Sequence, residues 1–403
     1  MLVKKLAYKR DIIKELYFSK ALSCADLSER LEKSLPLITG TLTELIDEGY
    51  VVEMGHAPST GGRRGLMYAL KEDVMYVVSV AMDQFVTRIA IVDMNNRYVS
   101  GIENFRLPLA GNREAPALLA EKISEVIHQS GITTDDIIGI GVGMPGFVNP
   151  VIGVNYTFME IPGGAIAGYL EEKLNLPVFI DNDSSLIALA ECRFGTARHI
   201  RTAMVINIGW GIGLGLIINA ELFRGENGFA GEFSHIPLFL NGRLCGCGKK
   251  GCLETESSLL VVLEKAKEGL ETGRQSLLKG LSTDDHELAI DAIISAAGRG
   301  DQFAIELLSG AGYTIGRGVA ILIHLFNPEA IILSGRGASP GIIWQTTIQQ
   351  ALNEHCIPRL FANTSIKIST LGYHAQIIGA AALVMENYDH SGKKKIGKTV
   401  LPA

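Results

Sequence analysis

Three cysteines stand close together in the second half of the chain, as Cys245-x-Cys247-x4-Cys252. Gly246, Gly248 and Gly251 allow a backbone tight enough for three thiolates to converge. In a cytosolic protein such a cluster reads as metal binding before disulfide. Zinc takes four ligands in a tetrahedron, so a fourth should come from nearby, and His235 lies ten residues upstream. No substrate water is then needed, and the site reads as closed and structural. The duller reading is three free cysteines on a flexible loop. Cys24, Cys192 and Cys356 stand alone, and Cys192 reads as core rather than reactive. Other residues are ambiguous by themselves. Asn182-Asp183-Ser184 reads as a helix cap. Gly209-x-Gly-x-Gly-x-Gly215 reads as a strand thinned by glycine. His324, in an apolar helical stretch, reads as a satisfied core residue.

These residues need a scaffold, and composition bounds it. A chain of 403 residues is too long for one ordinary domain, so two or three are expected. No run of 18 uninterrupted apolar residues occurs, which argues against a spanning helix. The start, Met1-Leu-Val-Lys-Lys, carries no signal-peptide pattern, so a cytoplasmic protein is expected, with no membrane insertion. The net charge of −6 argues against nonspecific nucleic-acid binding by the whole chain. Residues 1–70 nevertheless hold ten basic against nine acidic side chains. The negative charge therefore lies elsewhere, which leaves room for a local DNA-binding module.

Residues 1–70 read as three short helices and a hairpin. Leu6, Ile12, Ile13, Leu16 and Tyr17 suit an amphipathic first helix. Ser23 with Asp26 forms a capping-box pattern opening a second helix through Leu31. Ser34 starts a third, with Leu35, Ile38, Leu42, Leu45 and Ile46 on one face, and Gly49 ends it. Tyr50–Glu53 and Leu66–Leu70 read as strands around a basic, glycine-rich tip that carries Arg63 and Arg64. That order is a winged helix-turn-helix. Its third helix would enter the major groove with Ser34, Pro36, Leu37, Thr39, Gly40 and Thr43 outward as base-reading candidates. Arg63 and Arg64 would reach a minor groove. The bland alternative is a small helical interaction module with a solvated loop.

From Val74 the pattern alternates strands with helices, which means α/β. Tyr76–Ala81 and Thr87–Asp93 read as a strand pair. Ile137–Val142, Val178–Ile180, Ala203–Ile208, Gly213–Ile218 and Ala330–Leu333 add further strands, with helices such as Ala115–Gln129 and Phe303–Leu325 between them. Glycine-rich turns near Gly143 and Gly209 suggest two lobes facing a cleft. The expected organisation is a DNA-binding domain over 1–70, a ligand-binding domain over 71–390, and a basic, disordered tail over 391–403.

Here the sequence resembles the ROK family (repressors, open reading frames and kinases), specifically its regulators of the Mlc/NagC type. Gly61-Gly-Arg-Arg64 resembles the family's DNA-binding half, with Gly65 where proline is frequent. Gly231-Glu-Phe-Ser-His235 and Cys245-Gly-Cys-Gly-Lys-Lys-Gly-Cys-Leu-Glu254 resemble its signature. The resemblance implies a two-lobed hexokinase/actin-like (ribonuclease H-like) α/β fold behind the winged helix. It implies one structural Zn2+ per chain on His235, Cys245, Cys247 and Cys252. Sugar contacts carry over to Gly146, in the Gly143-Met-Pro-Gly146 turn, and to Asn182, Asp183, Glu232, His235 and Glu254. Asp183 matches the kinases' catalytic base.

The family holds both sugar kinases and regulators, so the nucleotide motifs decide. The kinases carry Asp-x-Gly-Gly-Thr between the first two strands, where glycine N–H groups approach phosphate. This chain has Ala81-Met-Asp-Gln-Phe85. Asp83 and Gln84 replace both glycines, and Phe85 replaces the threonine. The second turn keeps its glycines but has Trp210 for the usual threonine, and the third reads Ser334-Gly-Arg-Gly337. Degraded ATP motifs beside a retained sugar set imply a non-enzyme, a sugar-responsive repressor of carbohydrate genes. As a homodimer or homotetramer it would sit on a roughly palindromic operator. A sugar or sugar phosphate would close the lobes and change operator affinity. The alternative is an ATP-dependent hexose or N-acetylhexosamine kinase with an accessory DNA-binding head. A third class, a metal-stabilised scaffold without ligand, would predict loss of the polar residues, which are present.

Overall fold

A computed structural model describes residues 2–56, 65–162 and 164–388. The first helix, α1 (Leu2–Ser19), buries Ile12, Ile13, Leu16 and Tyr17, as its periodicity requires. After β1 (Leu22–Ser23), Ser23 opens α2 (Cys24–Arg30). Its hydroxyl accepts from the Asp26 N–H at 3.2 Å, while the Asp26 carboxylate accepts from the Ser23 N–H at 2.9 Å. This reciprocal box satisfies two donors that a helix start leaves orphaned. Ser23→Ala is expected to cost about 1 kcal/mol of head stability, checked by urea unfolding.

The third helix, α3 (Leu35–Asp47), has Pro36 in its first turn and buries Ile38, Leu42 and Leu45. One expectation fails on this face. Leu35 is 51% exposed, and Thr41 takes an inward position instead. Thr41 is tolerated there because its hydroxyl donates to the Leu37 carbonyl at 2.9 Å, leaving its methyl for the core. Lys9 is buried and joins α1 to α3 through Glu44 at 3.0 Å and Glu48 at 2.6 Å. The strands β2 (Val51–His56) and β3 (Leu66–Leu70) pair antiparallel, and β1 adds to β3. Three helices with a three-stranded sheet in the order β1-β3-β2 make a winged helix.

Two sheets of identical topology follow. In the first, β4 (Tyr76–Met82), β5 (Val86–Val92) and β6 (Tyr98–Arg106) form an antiparallel meander. Helix α4 (Ala115–Ser130) leads to β7 (Ile137–Met144), which joins β4 in parallel. The short hairpin β8 (Val148–Asn149) and β9 (Val154–Asn155) and the helix α5 (Ile166–Leu174) precede β10 (Val178–Asn182). The resulting order is β10-β7-β4-β5-β6.

Helix α6 (Asp183–Arg193) then leads into β11 (Ala203–Ile208), β12 (Ile212–Ile218) and β13 (Glu221–Phe223), again an antiparallel meander. The helices α7 (Glu254–Ser257), α8 (Leu259–Glu271), α9 (His286–Gly298) and α10 (Gln302–Phe326) precede β14 (Ala330–Ser334). After α11 (Gly341–His355) and α12 (Pro358–Phe361) comes β15 (Ser365–Ile368), and α13 (Ala375–Glu386) closes the described chain. The order β13-β12-β11-β14-β15 repeats the first sheet strand for strand. This is the ribonuclease H-like repeat of the two-lobed hexokinase/actin-like architecture.

The chain divides into two compact units at Asn182/Asp183 and within α13, at Gly379/Ala380. The head packs within the first unit. Tyr17 donates its hydroxyl to Asn96, Lys14 donates to the Glu386 carbonyl at 3.0 Å, and Arg10 lies 5.9 Å over the Tyr388 ring. In the second unit α6 lies directly on β12. A Cβ on Gly213 would stand 1.9 Å from the Ser184 hydroxyl, and one on Gly215 would stand 2.2 Å from the Ala188 Cβ. The alternating glycines there do thin the strand. Glu191 is fully buried in α6 yet accepts from the Thr196 N–H at 2.9 Å and from the Ser334 and Ser369 hydroxyls. Cys192 is core, donating to the Ala220 carbonyl. His324 is not. It lies on the exposed side of the end of α10, beside exposed Leu325 and Phe326, and accepts from the Ile357 N–H at 3.3 Å. Among the described residues no helix is long and apolar enough to cross a membrane.

Candidate functional site

His235, Cys245, Cys247 and Cys252 come together, with their ligand atoms all within 4.8 Å of one another. Local backbone explains how. Gly248 and Gly251 adopt φ of +83° and +77°, and a Cβ on Gly251 would meet the Phe239 carbonyl at 1.9 Å. The Cys245 N–H bonds the Lys249 carbonyl at 2.7 Å, closing the knuckle. The His235 Nδ1 lies 3.5 Å from the Cys245 sulfur, and the Cys247 and Cys252 sulfurs lie 3.6 Å apart. Burial and the neighbouring thiols push the Cys252 thiol up to about 12. Bare thiolates are unfavourable in such a place, and a soft cation is what stabilises them. Three sulfurs and one imidazole nitrogen form a donor set that suits a metal ion, and the geometry fits.

The loop that carries this cluster also carries carboxylates. The other His235 nitrogen, Nε2, faces the Glu232 carboxylate at 3.7 Å. Gly231, at φ +104°, lets the loop approach the Leu214 carbonyl so closely that a Cβ would stand 2.3 Å from it. Burial, with Asp183 and Glu254 nearby, pushes the Glu232 carboxyl up to about 7. Burial also raises Glu254, although the Ile212 N–H donates to it at 3.2 Å. Glycine at 211 leaves the Glu254 carboxylate its place, since a Cβ there would lie 2.4 Å from the Glu254 oxygen. Asp183 accepts from the Ser184 N–H at 2.8 Å and from the Asn207 amide at 3.3 Å. Thus Asp183, Glu232, His235 and Glu254 converge in the second unit, a set able to take several hydroxyls at once.

In the first unit Gly146 and Asn182 are partners. The Asn182 amide donates to the Gly146 carbonyl at 3.0 Å, and Gly146, at φ +90°, has no room for a Cβ beside Thr157. Sequence reasoning missed the residues that hold these groups. Asn155, fully buried, donates to the Pro145 carbonyl at 3.1 Å and so braces the Gly143–Gly146 turn. Asn207 orients Asp183. Both are polar residues inside apolar strand patterns, the one signal that marked them. On the head, Ser34, Pro36, Thr39, Gly40 and Thr43 are all exposed, while Leu37 is half-buried. Arg63 and Arg64 lie outside the described residues.

The sequence matches the profile of the ROK family over residues 87–387. The chain belongs to the ROK family. It is 30% identical to the xylose repressor of Caldicellulosiruptor bescii, across 93% of this chain and 94% of that protein. Its structure is similar to that of a ROK family transcriptional regulator homologous to the E. coli Mlc protein. That likeness has a TM-score of 0.76 and 25% identity, and it spans 96% of this chain and 97% of that one. It is also similar to a ROK family glucokinase from Streptomyces griseus, solved with glucose and AMPPNP. There the TM-score is 0.67 at 26% identity, over 76% of this chain and 98% of that one.

About a quarter of this chain has no counterpart in that glucokinase. The turn between β4 and β5 also differs from a phosphate cradle. Here the Asp83 carboxylate itself accepts from the Phe85 and Val86 N–H groups, each at 2.8 Å. The backbone donors that a phosphate would need are already occupied, and by a negative charge.

Proposed function

We propose that this ROK protein is a sugar-responsive transcription regulator, a repressor of carbohydrate genes that binds a sugar or sugar phosphate without phosphorylating it. One observation carries the reading. Asp83 seals the first phosphate turn with its own carboxylate, while Asp183, Glu232, His235 and Glu254 remain assembled. Sugar hydroxyls would be held by those four residues of the second unit, with Gly146 and Asn182 as the remaining contacts. Asp183 would accept a hydroxyl without acting as a base, since phosphoryl transfer depends on positioned phosphates and their metal ion.

His235, Cys245, Cys247 and Cys252 would hold one structural Zn2+ per chain. Bound there, the ion supplies a rigid cross-link for the loop bearing Glu232 and Glu254. His235 then serves both purposes, with Nδ1 toward the sulfurs and Nε2 toward the sugar side. The head, over residues 1–70, would place α3 in the major groove and the Arg63–Arg64 tip in the minor groove. The ligand domain would span 71–390, followed by the tail over 391–403. A homodimer or homotetramer in the cytoplasm would match a roughly palindromic operator. Sugar binding shifts the population of operator-competent states, and by linkage the operator changes sugar affinity by the same factor.

The test is calorimetric titration with candidate sugars and sugar phosphates, followed by an ATP-consumption assay with whichever binds. The expected result is saturable sugar binding without turnover. Sugar-dependent turnover on the order of 10 per second, abolished by Asp183→Ala, would replace the regulator reading with the kinase one.

A further inference from the structure

The four donors of the cysteine loop fall into two pairs. The Cys245 sulfur stands beside the His235 Nδ1 at 3.5 Å, and the Cys247 sulfur stands beside the Cys252 sulfur at 3.6 Å. The members of the second pair differ in access. Cys252 is fully buried, whereas Cys247 is exposed. The neighbours of Cys247 leave it open, since a Cβ built on Gly246 or on Gly248 would meet nothing within 4 Å. One sulfur can therefore be reached from solvent, and a second lies against it where a solvent-borne reagent does not reach. That is the arrangement of a thiol that is oxidised and a thiol that resolves the product.

We propose that Cys247 is an oxidative modification site, which a peroxide converts to a disulfide with Cys252, emptying the metal site. This rests on the reading of the four donors as a zinc site. The Cys247 thiolate sulfur attacks one peroxide oxygen. The O–O bond breaks, the departing hydroxide takes a proton to become water, and Cys247 becomes a sulfenic acid. The Cys252 thiolate sulfur then attacks the Cys247 sulfur. The S–S bond forms, the S–O bond breaks, and the second hydroxide takes a proton and leaves as water. Two electrons pass from the sulfurs to the peroxide. Cys245 and His235 remain, and these two donors are too few for an ion that takes four. The backbone carries the consequence to the sugar set. Cys252 pairs with Pro237 in an isolated bridge, and the Leu253 N–H donates to the Ile236 carbonyl at 3.0 Å. Cys252 and Glu254 are thus tied to the segment that follows His235. Joining the two sulfurs disturbs His235 and Glu254 together, so sugar affinity falls with the metal.

The experiment treats full-length, zinc-loaded protein with a modest molar excess of hydrogen peroxide. Zinc content is measured before treatment, and its release is followed with a chromogenic chelator. Peptide mapping by mass spectrometry locates the disulfide. Calorimetry gives sugar affinity before peroxide, after it, and after a dithiol with added zinc. The expected result is loss of the full equivalent of zinc and a Cys247–Cys252 link two hydrogens lighter than the thiol pair. Sugar affinity should fall by about tenfold or more, as for a lost charge-assisted hydrogen bond, and return on reduction. Gly246 is not among the glycines at positive φ, so Gly246→Leu can shield Cys247 without backbone strain. This variant is expected to release zinc several-fold more slowly. Cys24→Ser, which removes a half-buried thiol of the head, is expected to behave as the wild type. Four results would overturn the proposal: zinc kept under peroxide, a disulfide joining another pair, a Cys247 sulfinic acid with no disulfide, or equal release by the wild type and a zinc-loaded Gly246→Leu. Should Gly246→Leu lack zinc at the start, release and mapping on the wild type decide. Wild-type protein without zinc before any peroxide would instead sink the zinc reading, and the proposal with it.

Discussion

Replacing Cys247 with serine is expected to release the metal and destabilise the second unit by about 4 kcal/mol, a melting-temperature loss of about 8–16 °C for a unit of this size. The position makes the result interpretable. Cys247 is an exposed cysteine, so the nearly isosteric exchange removes no core packing. What it removes is one of four donors converging within 4.8 Å. Metal binding and folding are coupled, because the unfolded chain offers no such site. The loss should extend to the ligand. Glu232 and Glu254 flank the same loop, and His235 belongs to both sets of contacts. Sugar affinity should therefore fall together with metal content. Metal analysis, differential scanning calorimetry and sugar titration on one preparation check all three. Wild-type protein that is stoichiometrically metal-free and equally stable would sink the claim.

The periodic elements were legible in the sequence. The capping box at Ser23 and Asp26 forms as its spacing requires, and β11 and β14 fall on their apolar runs. Those signals are local, involving residues within a few positions of each other. The cysteine knuckle was legible for the same reason. Where the reading failed, a distant neighbour decided. His324 looked like core within an apolar helix, but it falls on the exposed side of α10 and bonds the Ile357 N–H instead. Leu35 fits the apolar face of α3 by spacing, yet at the helix start it is 51% exposed, and Thr41 is buried instead. The repeat of one sheet topology in both units was implied by the family resemblance alone, because it is a pattern of pairing and not of residues. A stack of Trp210, Arg336 and Tyr373, with His286 and Glu287 beside it, draws on residues that no window of sequence holds together. From the sequence, Asp83 counted only as a replacement for one of the two glycines of a phosphate turn. The structure adds that this carboxylate caps the turn's own N–H groups.

Thr39→Ala with Thr43→Ala is expected to weaken operator binding by about 1–3 kcal/mol, roughly five- to 150-fold, while leaving its salt dependence unchanged. Both threonines are exposed on α3, and alanine is the better helix former, so the head should not lose stability. Neutral hydroxyls release no counterions when they meet DNA. Their loss should therefore alter the ranking of operator variants and not the slope of affinity against salt. Arg63→Ala with Arg64→Ala is expected to do the opposite. Two lost cationic contacts should flatten the salt slope by about 1.8 and weaken all sequences alike. Gel shifts at several salt concentrations, on the operator and on point variants of it, separate the two outcomes. The head's integrity is checked by the same urea unfolding that reports on Ser23. If the threonine pair weakens the operator and its point variants alike, α3 is lying on phosphates and not reading the groove. If neither pair changes affinity, the exposed face of α3 and the basic tip are not the DNA-binding surface, and the winged helix contacts a different partner.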